Sequence, residues 1–250
     1  MIKFFRKIRQ NLLTDGKTGK PASQTGRYLK YAVGEIILVV IGILIALSIN
    51  NWNENRKLKN QELKLLADIR SNLISNYNTF KDDSTYNQSL ILQYEKIESY
   101  IENDLKYDVE LDSAFGVLTF WNTPYITSTA YNTLQTKGLD LIQNERIRQD
   151  IVEIYEVDLK SLINDYDKSE WNLSSQIVLP FFSQNIRRLH KKSLSLSRPN
   201  DFEALKKNKE FHNILSMILR QRKRGQVRFG EVMMKLQRLI DDIEVEINSR

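Results

Sequence analysis

The sequence predicts an all-α protein, with one N-terminal transmembrane helix followed by an extracytoplasmic antiparallel helical bundle. Three observations favour this fold class. One long apolar run lies near the N-terminus, only 4 prolines and 9 glycines occur among 250 residues, and the remaining apolar positions recur at helical rather than alternating spacing. The predicted parts are a basic amphipathic cytoplasmic helix at 1–13, a flexible linker at 14–29, the transmembrane helix at 30–53 and the extracytoplasmic helical domain at 54–250.

The first predicted element is the amphipathic helix at residues 1–13. Its apolar residues recur at helical spacing on one side, and four cations crowd the other side. These cations are Lys3, Arg6, Lys7 and Arg9. Such a helix can lie among the anionic headgroups of membrane lipid. In the alternative interpretation the cations only fix the membrane topology. Residues 14–29 are rich in Gly, Ser, Thr and Lys, which predicts a flexible linker.

The second element is the transmembrane helix. No side chain from Ile36 to Leu47 is polar, and Glu35 is the only ionisable residue between Tyr31 and Trp52. About 21 helical residues at ~1.5 Å each span the ~30 Å hydrocarbon core of a bilayer. A cleaved signal peptide is the alternative, since residues 46–48 (Ala-Leu-Ser) resemble a cleavage site. The long segment before the apolar core favours an uncleaved anchor.

Charge gives the orientation of this helix. The first 30 residues contain eight Lys or Arg against one Asp, a charge of +7, whereas the whole chain carries +6, so residues 31–250 carry −1. The positive-inside rule therefore predicts that the N-terminus lies in the cytoplasm and that residues 54–250 lie outside it. Because the basic character belongs to the membrane-proximal arm, no nucleic-acid partner is predicted. The absence of cysteine excludes disulfides and a cysteine nucleophile.

The transmembrane helix also carries a candidate contact face. Gly42 and Ala46 form a small-x-x-x-small pair, and Gly34 lies eight residues before Gly42. Small residues let helix backbones approach closely in lipid. Glu35 adds an ionisable group near the cytoplasmic end, where it either pairs with a nearby cation or contacts a partner. The alternative is a helix that simply faces lipid.

The extracytoplasmic domain contains five apolar stripes at helical spacing, which predict its helices. The stripes cover residues 66–80, 90–101, 147–166, 211–218 and 233–247.

Four features are predicted to separate or connect these helices. Residues 82–84 (Asp-Asp-Ser) offer a break and a cap between the first two stripes, and a helical joint is expected near Gly225. Residues 104–143 are less regular and suggest short helices that plug one end of the bundle. Residues 193–199 indicate a loop.

Two stretches of this chain resemble a known family. KYAVGEIILVVIGILIALSINNWNE at 30–54, preceded by the basic arm IKFFRKIR at 2–9, is similar to the opening of an uncharacterised family of single-pass membrane proteins from Bacteroidota. AYNTLQTKGLDLI at 130–142, followed by Asn144-Glu145, resembles the midsection of that family. The resemblance implies an inner-membrane protein with an extracytoplasmic helical domain. It carries no activity or site to transfer.

One candidate partner or ligand surface lies in this midsection. Tyr131, Gln135 and Lys137 precede Gly138, a residue suited to the positive φ that ends a helix. The stretch is either a helix C-terminus that packs against the bundle or a polar surface that contacts a ligand or partner.

A second candidate surface is the cationic run at residues 220–224, which includes Arg222 and Arg224. On a predicted helix such a run is usually a solvated face. In the alternative it is a site for an acidic lipid or partner.

No residue pattern predicts catalysis, and no cofactor or metal is expected. His190 and His212 have no second ligand at helical spacing, and no nucleophile elbow or nucleotide loop occurs. We therefore expect a membrane-anchored protein that is not an enzyme and acts by protein–protein contacts, as an envelope scaffold or accessory subunit. Its partner is another protein or a second copy, reached through the span or the bundle. Two alternatives remain, a small-ligand sensor that signals through a membrane partner and a hydrolase of a novel type.

Overall fold

The computed structural model describes residues 24–190 and 195–249. It is 82% helical and nearly all-α, with one long apolar N-terminal helix. The chain divides into two compact units between Lys59 and Asn60. Residues 1–23, which include the predicted helix at 1–13 and most of the linker, lie outside the described part.

The described helices and strands follow one another in this order. They are α1 (Gln24–Glu102), α2 (Leu111–Gly116), α3 (Thr129–Lys137), a 3₁₀ turn (Leu139–Leu141), α4 (Glu145–Glu153), a π segment (Ile154–Asp158), α5 (Leu159–Ser161), a π segment (Leu162–Asp167), α6 (Lys168–Leu173), a π segment (Ser174–Val178), α7 (Leu179–Asn185), β1 (Ile186–Arg188), β2 (Ser197–Pro199), α8 (Phe202–Lys206) and α9 (Lys209–Asn248).

Helix α1 is uninterrupted over 79 residues. The predicted break at residues 82–84 is therefore wrong. Asp83 and Ser84 are buried, and side chains from elsewhere in the chain contact them: Asn122 donates to Asp83 (2.9 Å) and Gln226 donates to Ser84 (2.7 Å). These tertiary contacts outweigh the weak preference of such residues for helix caps.

Residues 145–185 form one helical run in which three π segments alternate with α-helical turns, since the residues at the junctions keep right-handed helical dihedral angles. The run begins at Asn144, whose side chain accepts a hydrogen bond from the Ile147 amide. It confirms the predicted helix at 147–166 and extends it to Asn185.

Helix α9 is a single helix of 40 residues, so the predicted joint near Gly225 is wrong. It runs antiparallel to α1, because Arg70 pairs with Glu244 (2.7 Å) while Asn87 bonds Gln226 (3.1 Å). Gly225 has another structural role. A Cβ at this position would lie 2.5 Å from the Tyr166 ring, so glycine permits a close approach between the two helices.

The second unit encloses two hydrophobic cores. The first lies among the α1 residues 65–80, α3, the first half of the helical run and the C-terminal half of α9. The second lies among the α1 residues 90–97, α2, α7, α8 and the N-terminal half of α9. All three long helical segments contribute to both cores.

The irregular segment after α2 lies along α1 and does not plug one end. Tyr94 donates to the carbonyl of Val117 (2.7 Å), whereas nearer the start of the helix Asn76 exchanges two hydrogen bonds with Thr127 (3.0 and 2.7 Å). The predicted loop at residues 193–199 is also partly corrected. Ser197–Pro199 forms β2, which pairs antiparallel with β1.

Candidate functional site

The two cores are separated by buried and half-buried polar side chains from all three long helical segments. We call these residues the polar layer: Asp83, Ser84 and Asn87 on α1, Glu170 on α6, and Arg222 and Gln226 on α9.

An ion pair between Glu170 and Arg222 forms the centre of the polar layer. The exposed fractions of the two residues are only 1% and 3%. The Nη2 of Arg222 also donates to the carbonyl oxygen of Phe120 at 2.7 Å. Burial raises the pKa of the Glu170 carboxyl, while the adjacent guanidinium acts in the opposite direction. The pair is therefore enclosed by protein and fixes α9 against α6.

Amide side chains extend the polar layer towards α1. The Nδ2 of Asn87 donates to the carbonyl oxygen of Arg222 (2.8 Å) and to Oε1 of Gln226 (3.1 Å). The Nε2 of Gln226 then donates to Ser84 (2.7 Å). Desolvation raises the pKa of Asp83, an effect that the hydrogen bond from Asn122 partly offsets. These bonds satisfy polar groups that would otherwise destabilise the interior.

The polar layer was not identified from the sequence, although a signal for it exists. The buried apolar positions of α9 recur every three or four residues, and Arg222 and Gly225 continue the same series between Leu219 and Phe229. A cation in the core-facing series of a helix indicates a buried partner, because an unpaired buried charge is costly. The charge of the cationic run, taken alone, predicts an exposed surface.

The predicted surface at Arg222 and Arg224 is therefore corrected for one residue. Arg222 is buried and paired with Glu170, so it is not available to a partner or ligand. Arg224 is exposed on α9. It makes no ion pair with another residue in the described part of the chain.

The predicted surface at Tyr131 is also largely enclosed. Tyr131 is 4% exposed, its ring stacks on Tyr155 at 4.5 Å, and its hydroxyl donates to Glu156 Oε1 at 3.0 Å. Burial and this carboxylate raise the pKa of Tyr131 to about 12. The exposed Gln135 donates to the same oxygen at 3.2 Å. The Glu156 carboxylate therefore already accepts a hydrogen bond from each of these two side chains.

The end of α3 agrees with the packing interpretation. Gly138 has φ +100°, as the sequence predicted, and its amide donates to the carbonyl of Leu134. Ile142 is fully buried after this turn, whereas Leu139 remains partly exposed. Lys137 is exposed in the last turn of α3, where a cation stabilises the helix terminus.

The candidate contact residues of the apolar segment all lie on α1. Glu35 and Ala46 are exposed, and a Cβ added at Gly34 or Gly42 would meet no atom within 4 Å. Packing within the described chain therefore does not require either glycine. The predicted membrane-surface residues Lys3, Arg6, Lys7 and Arg9 lie outside the described residues.

The histidines are not brought together by the fold. The Nε2 of His212 lies 2.7 Å from the carbonyl oxygen of Lys206. Within residues 24–190 and 195–249, no group of three or more His, Asp or Glu side chains is placed to hold a metal ion.

These features define a nearly all-helical protein whose N-terminal helix is long and apolar. Among the described helices, α1 alone is long and apolar enough to cross a membrane, a criterion that an N-terminal signal sequence also meets. The chain belongs to a family of unknown function, DUF6090, whose model matches residues 35–193, more than half of the chain. No curated protein and no solved structure matches it. The expected membership in an uncharacterised family is thus confirmed.

Proposed function

We infer that this protein is a single-pass membrane protein of the bacterial inner membrane that acts through protein–protein contacts, without catalysis, as an envelope scaffold or accessory subunit. The uncovered apolar segment of α1 carries this proposal. Ile36, Leu44 and Ile49 are each more than half exposed, and none of the most apolar window of the helix is buried. The hydrocarbon of a bilayer is the environment that stabilises such a surface.

The proposed topology rests on charge. The excess of cations before the span favours a cytoplasmic N-terminus, and the cations of residues 1–13 would then contact anionic headgroups. The second unit would form the periplasmic antiparallel helical bundle. The opposed directions of α1 and α9 support this arrangement. The resemblance to Bacteroidota membrane proteins favours the same compartment.

Contact through the span is supported by the small residues of α1. Glu35, Gly42 and Ala46 fall on one side of the helix at 100° per residue. Since nothing in the described chain approaches Gly42, an approaching helix from a partner or a second copy explains why a small residue stands there.

Photo-crosslinking in intact cells tests this contact. A photoreactive residue in place of Leu38, one turn before Gly42, is expected to give a protein adduct of higher mass. Gly42→Leu should abolish the adduct by blocking close approach, whereas Val40→Leu on the opposite side of the helix should leave it unchanged. Failure of position 38 to give any protein adduct would contradict contact through this face.

Reporter fusions to the C-terminus test the topology. Alkaline phosphatase, which folds only outside the cytoplasm, should be active, and green fluorescent protein exported by the same route should stay dark. The reverse pattern would contradict the proposed orientation. Mature protein that begins at Ile49 would instead show that the apolar segment is a cleaved signal.

A small-ligand sensor is the second candidate. The three π segments of residues 145–185 favour it, because π turns recur at functional sites and allow a helix to shift. Thermal denaturation of the full chain in nanodiscs with envelope metabolites separates the two candidates. Specific stabilisation by one metabolite would favour the sensor, whereas a scaffold should show none.

A further inference from the structure

A surface groove runs between the helical run 145–185 and α9, next to the polar layer. Its volume is about 490 Å³. One wall contains Asn172, Leu173 and Ile177, and the other contains Met217, Arg220 and Arg224. We call it the Arg220 groove.

The lining residues of each wall lie along one side of a helix, as packing against a third helix would require. On α9 the lining positions 217, 220, 221 and 224 follow helical spacing, and on the facing run the positions 169, 172, 173, 176 and 177 do the same. Each wall is therefore a stripe about two turns long, or ~10 Å. Two such neighbouring stripes form the kind of seat used in helix-in-groove recognition.

The chemistry of the groove combines apolar surface with positive charge. Ile177 and Met217 are 37% and 45% exposed, and both line the same groove, so they form an exposed apolar pair. Arg220 and Arg224 are exposed one turn apart, and no Asp or Glu lines the groove.

Within residues 24–190 and 195–249, the guanidinium groups at the groove have no ionic partner. The two cations between them on α9 are both neutralised, Arg222 by Glu170 and Lys223 by Glu95 at 2.7 Å. Arg220 and Arg224 make no ion pair with the rest of the described residues. The side of α9 that faces the groove thus carries two guanidinium groups that can bind anionic groups of a partner.

We propose that the Arg220 groove is a docking site for an acidic amphipathic helix of a protein partner. Apolar side chains at i and i+3 or i+4 of that helix would cover Ile177 and Met217. Carboxylates on its flank would pair with Arg220 and Arg224, and a guanidinium can bind a carboxylate through two hydrogen bonds. This inference rests on the proposed function and names the chemistry of one partner.

The protein occupant is favoured over a lipid surface by the shape of the site. A bilayer surface is flat and reaches cations that project from a flat or convex face, whereas here the cations lie on one wall of a groove whose other wall is uncharged, with Ser169, Asn172 and Gln176. Those polar side chains and the exposed apolar pair match a peptide helix, which presents both kinds of group along its length.

Site-specific crosslinking in the cells that produce the protein tests the docking site. A photoreactive residue replaces Met217 in the full chain, and mass spectrometry identifies the crosslinked peptide. We expect a protein adduct whose crosslinked segment has a net negative charge and an amphipathic helical pattern. Arg220→Glu with Arg224→Glu should lower the yield about tenfold, since like charges now oppose each other.

Two further variants keep the result interpretable. Lys64→Glu with Lys209→Glu changes two exposed cations away from the groove and should leave the yield unchanged. Arg220→Gln with Arg224→Gln should also lower the crosslinking yield, without adding repulsion.

A lipid adduct, a basic or featureless peptide, an unchanged yield in either arginine variant, or no adduct at position 217 would overturn the docking site. An adduct at position 38 without one at 217 overturns the docking site alone, whereas loss of both overturns the contact function as well.

Discussion

Two buried charges give the polar layer its energetic importance. Glu170 and Arg222 neutralise each other where neither reaches water. Replacing a buried ion pair by apolar residues often has little effect, but removing one partner strands the other charge and costs about 3–5 kcal/mol. The free energy of unfolding therefore depends more on both partners being present than on the attraction between them. Single and double substitutions can measure this dependence.

We predict that Arg222→Met destabilises the protein by about 3 kcal/mol, because the Glu170 carboxylate loses its partner. The double variant with Glu170→Leu should recover most of that loss. Arg224→Met, on the exposed side of the same helix, should change the free energy of unfolding by less than about 0.5 kcal/mol. Chemical denaturation of the full chain in detergent, followed by tryptophan fluorescence, measures these values. A double variant less stable than Arg222→Met would contradict the stranded-charge explanation.

Gly225 and Gly230 form a matched pair on α9. At Gly225 a methyl group would collide with the Tyr166 ring, which also contacts Phe229 edge-on at 5.6 Å, whereas at Gly230 it would meet nothing within 4 Å. We predict that Gly225→Ala destabilises the protein by about 1–3 kcal/mol through overpacking. Gly230→Ala should stabilise it by roughly 0.5–1 kcal/mol through helix propensity.

The same denaturation experiment measures both glycine variants. Because the two substitutions are chemically identical and lie on one helix, their difference isolates the contact with Tyr166. Equal effects at the two positions would show that Gly225 is not required for this close approach.

At the scale of elements, helical periodicity predicted the buried faces correctly. Leu66, Ile69 and Leu73 on α1 and Leu236 and Ile240 on α9 are all buried as expected. The spacing of apolar residues indicates which side of a helix faces the core. This signal depends only on residues within the same helix, so the sequence contains it.

Helix ends were predicted less well, because tertiary contacts decide them. Asp83 looks like a cap residue in the sequence, but Asn122 from a distant segment binds it within a continuous helix. Gly225 looks like a joint, but the Tyr166 ring explains it. Neither contact can be inferred from the residues beside it in the chain. The partner of Arg222 in the polar layer could not be inferred for the same reason, although the spacing of α9 already places Arg222 in the core-facing series.

The π segments leave a signal in the spacing of the buried residues. Tyr166, Glu170, Ser174, Val178 and Phe182 are all buried and lie four residues apart. In an ideal α-helix each such step would drift by about 40°, so five positions would leave the core-facing side. The wider π turns, with i→i+5 hydrogen bonds, absorb this drift and keep one face inward. A sustained four-residue repeat therefore indicates alternating α and π turns.

At the scale of the whole molecule, the segment matched by the family model ends before the last helix of the fold. The family model ends at residue 193, yet α9 begins at Lys209 and contributes to both cores. Eleven apolar residues of α9 are buried. At about 1.5–3 kcal/mol each, their burial exceeds the ~5–15 kcal/mol net stability of a typical domain. The matched segment should therefore not fold without this helix.

We predict that a chain ending after Lys207 loses cooperative unfolding and exposes both cores, whereas a chain ending after Asn248 keeps the stability of the full protein. The first truncation removes all of α9, including the partners of Glu170 and Asn87, while the second removes only residues after its last turn. Denaturation monitored by tryptophan fluorescence and by binding of a hydrophobic dye measures both effects. A cooperative transition in the chain ending at Lys207 would show that residues 1–207 contain a complete folding unit, and that α9 is an addition to it.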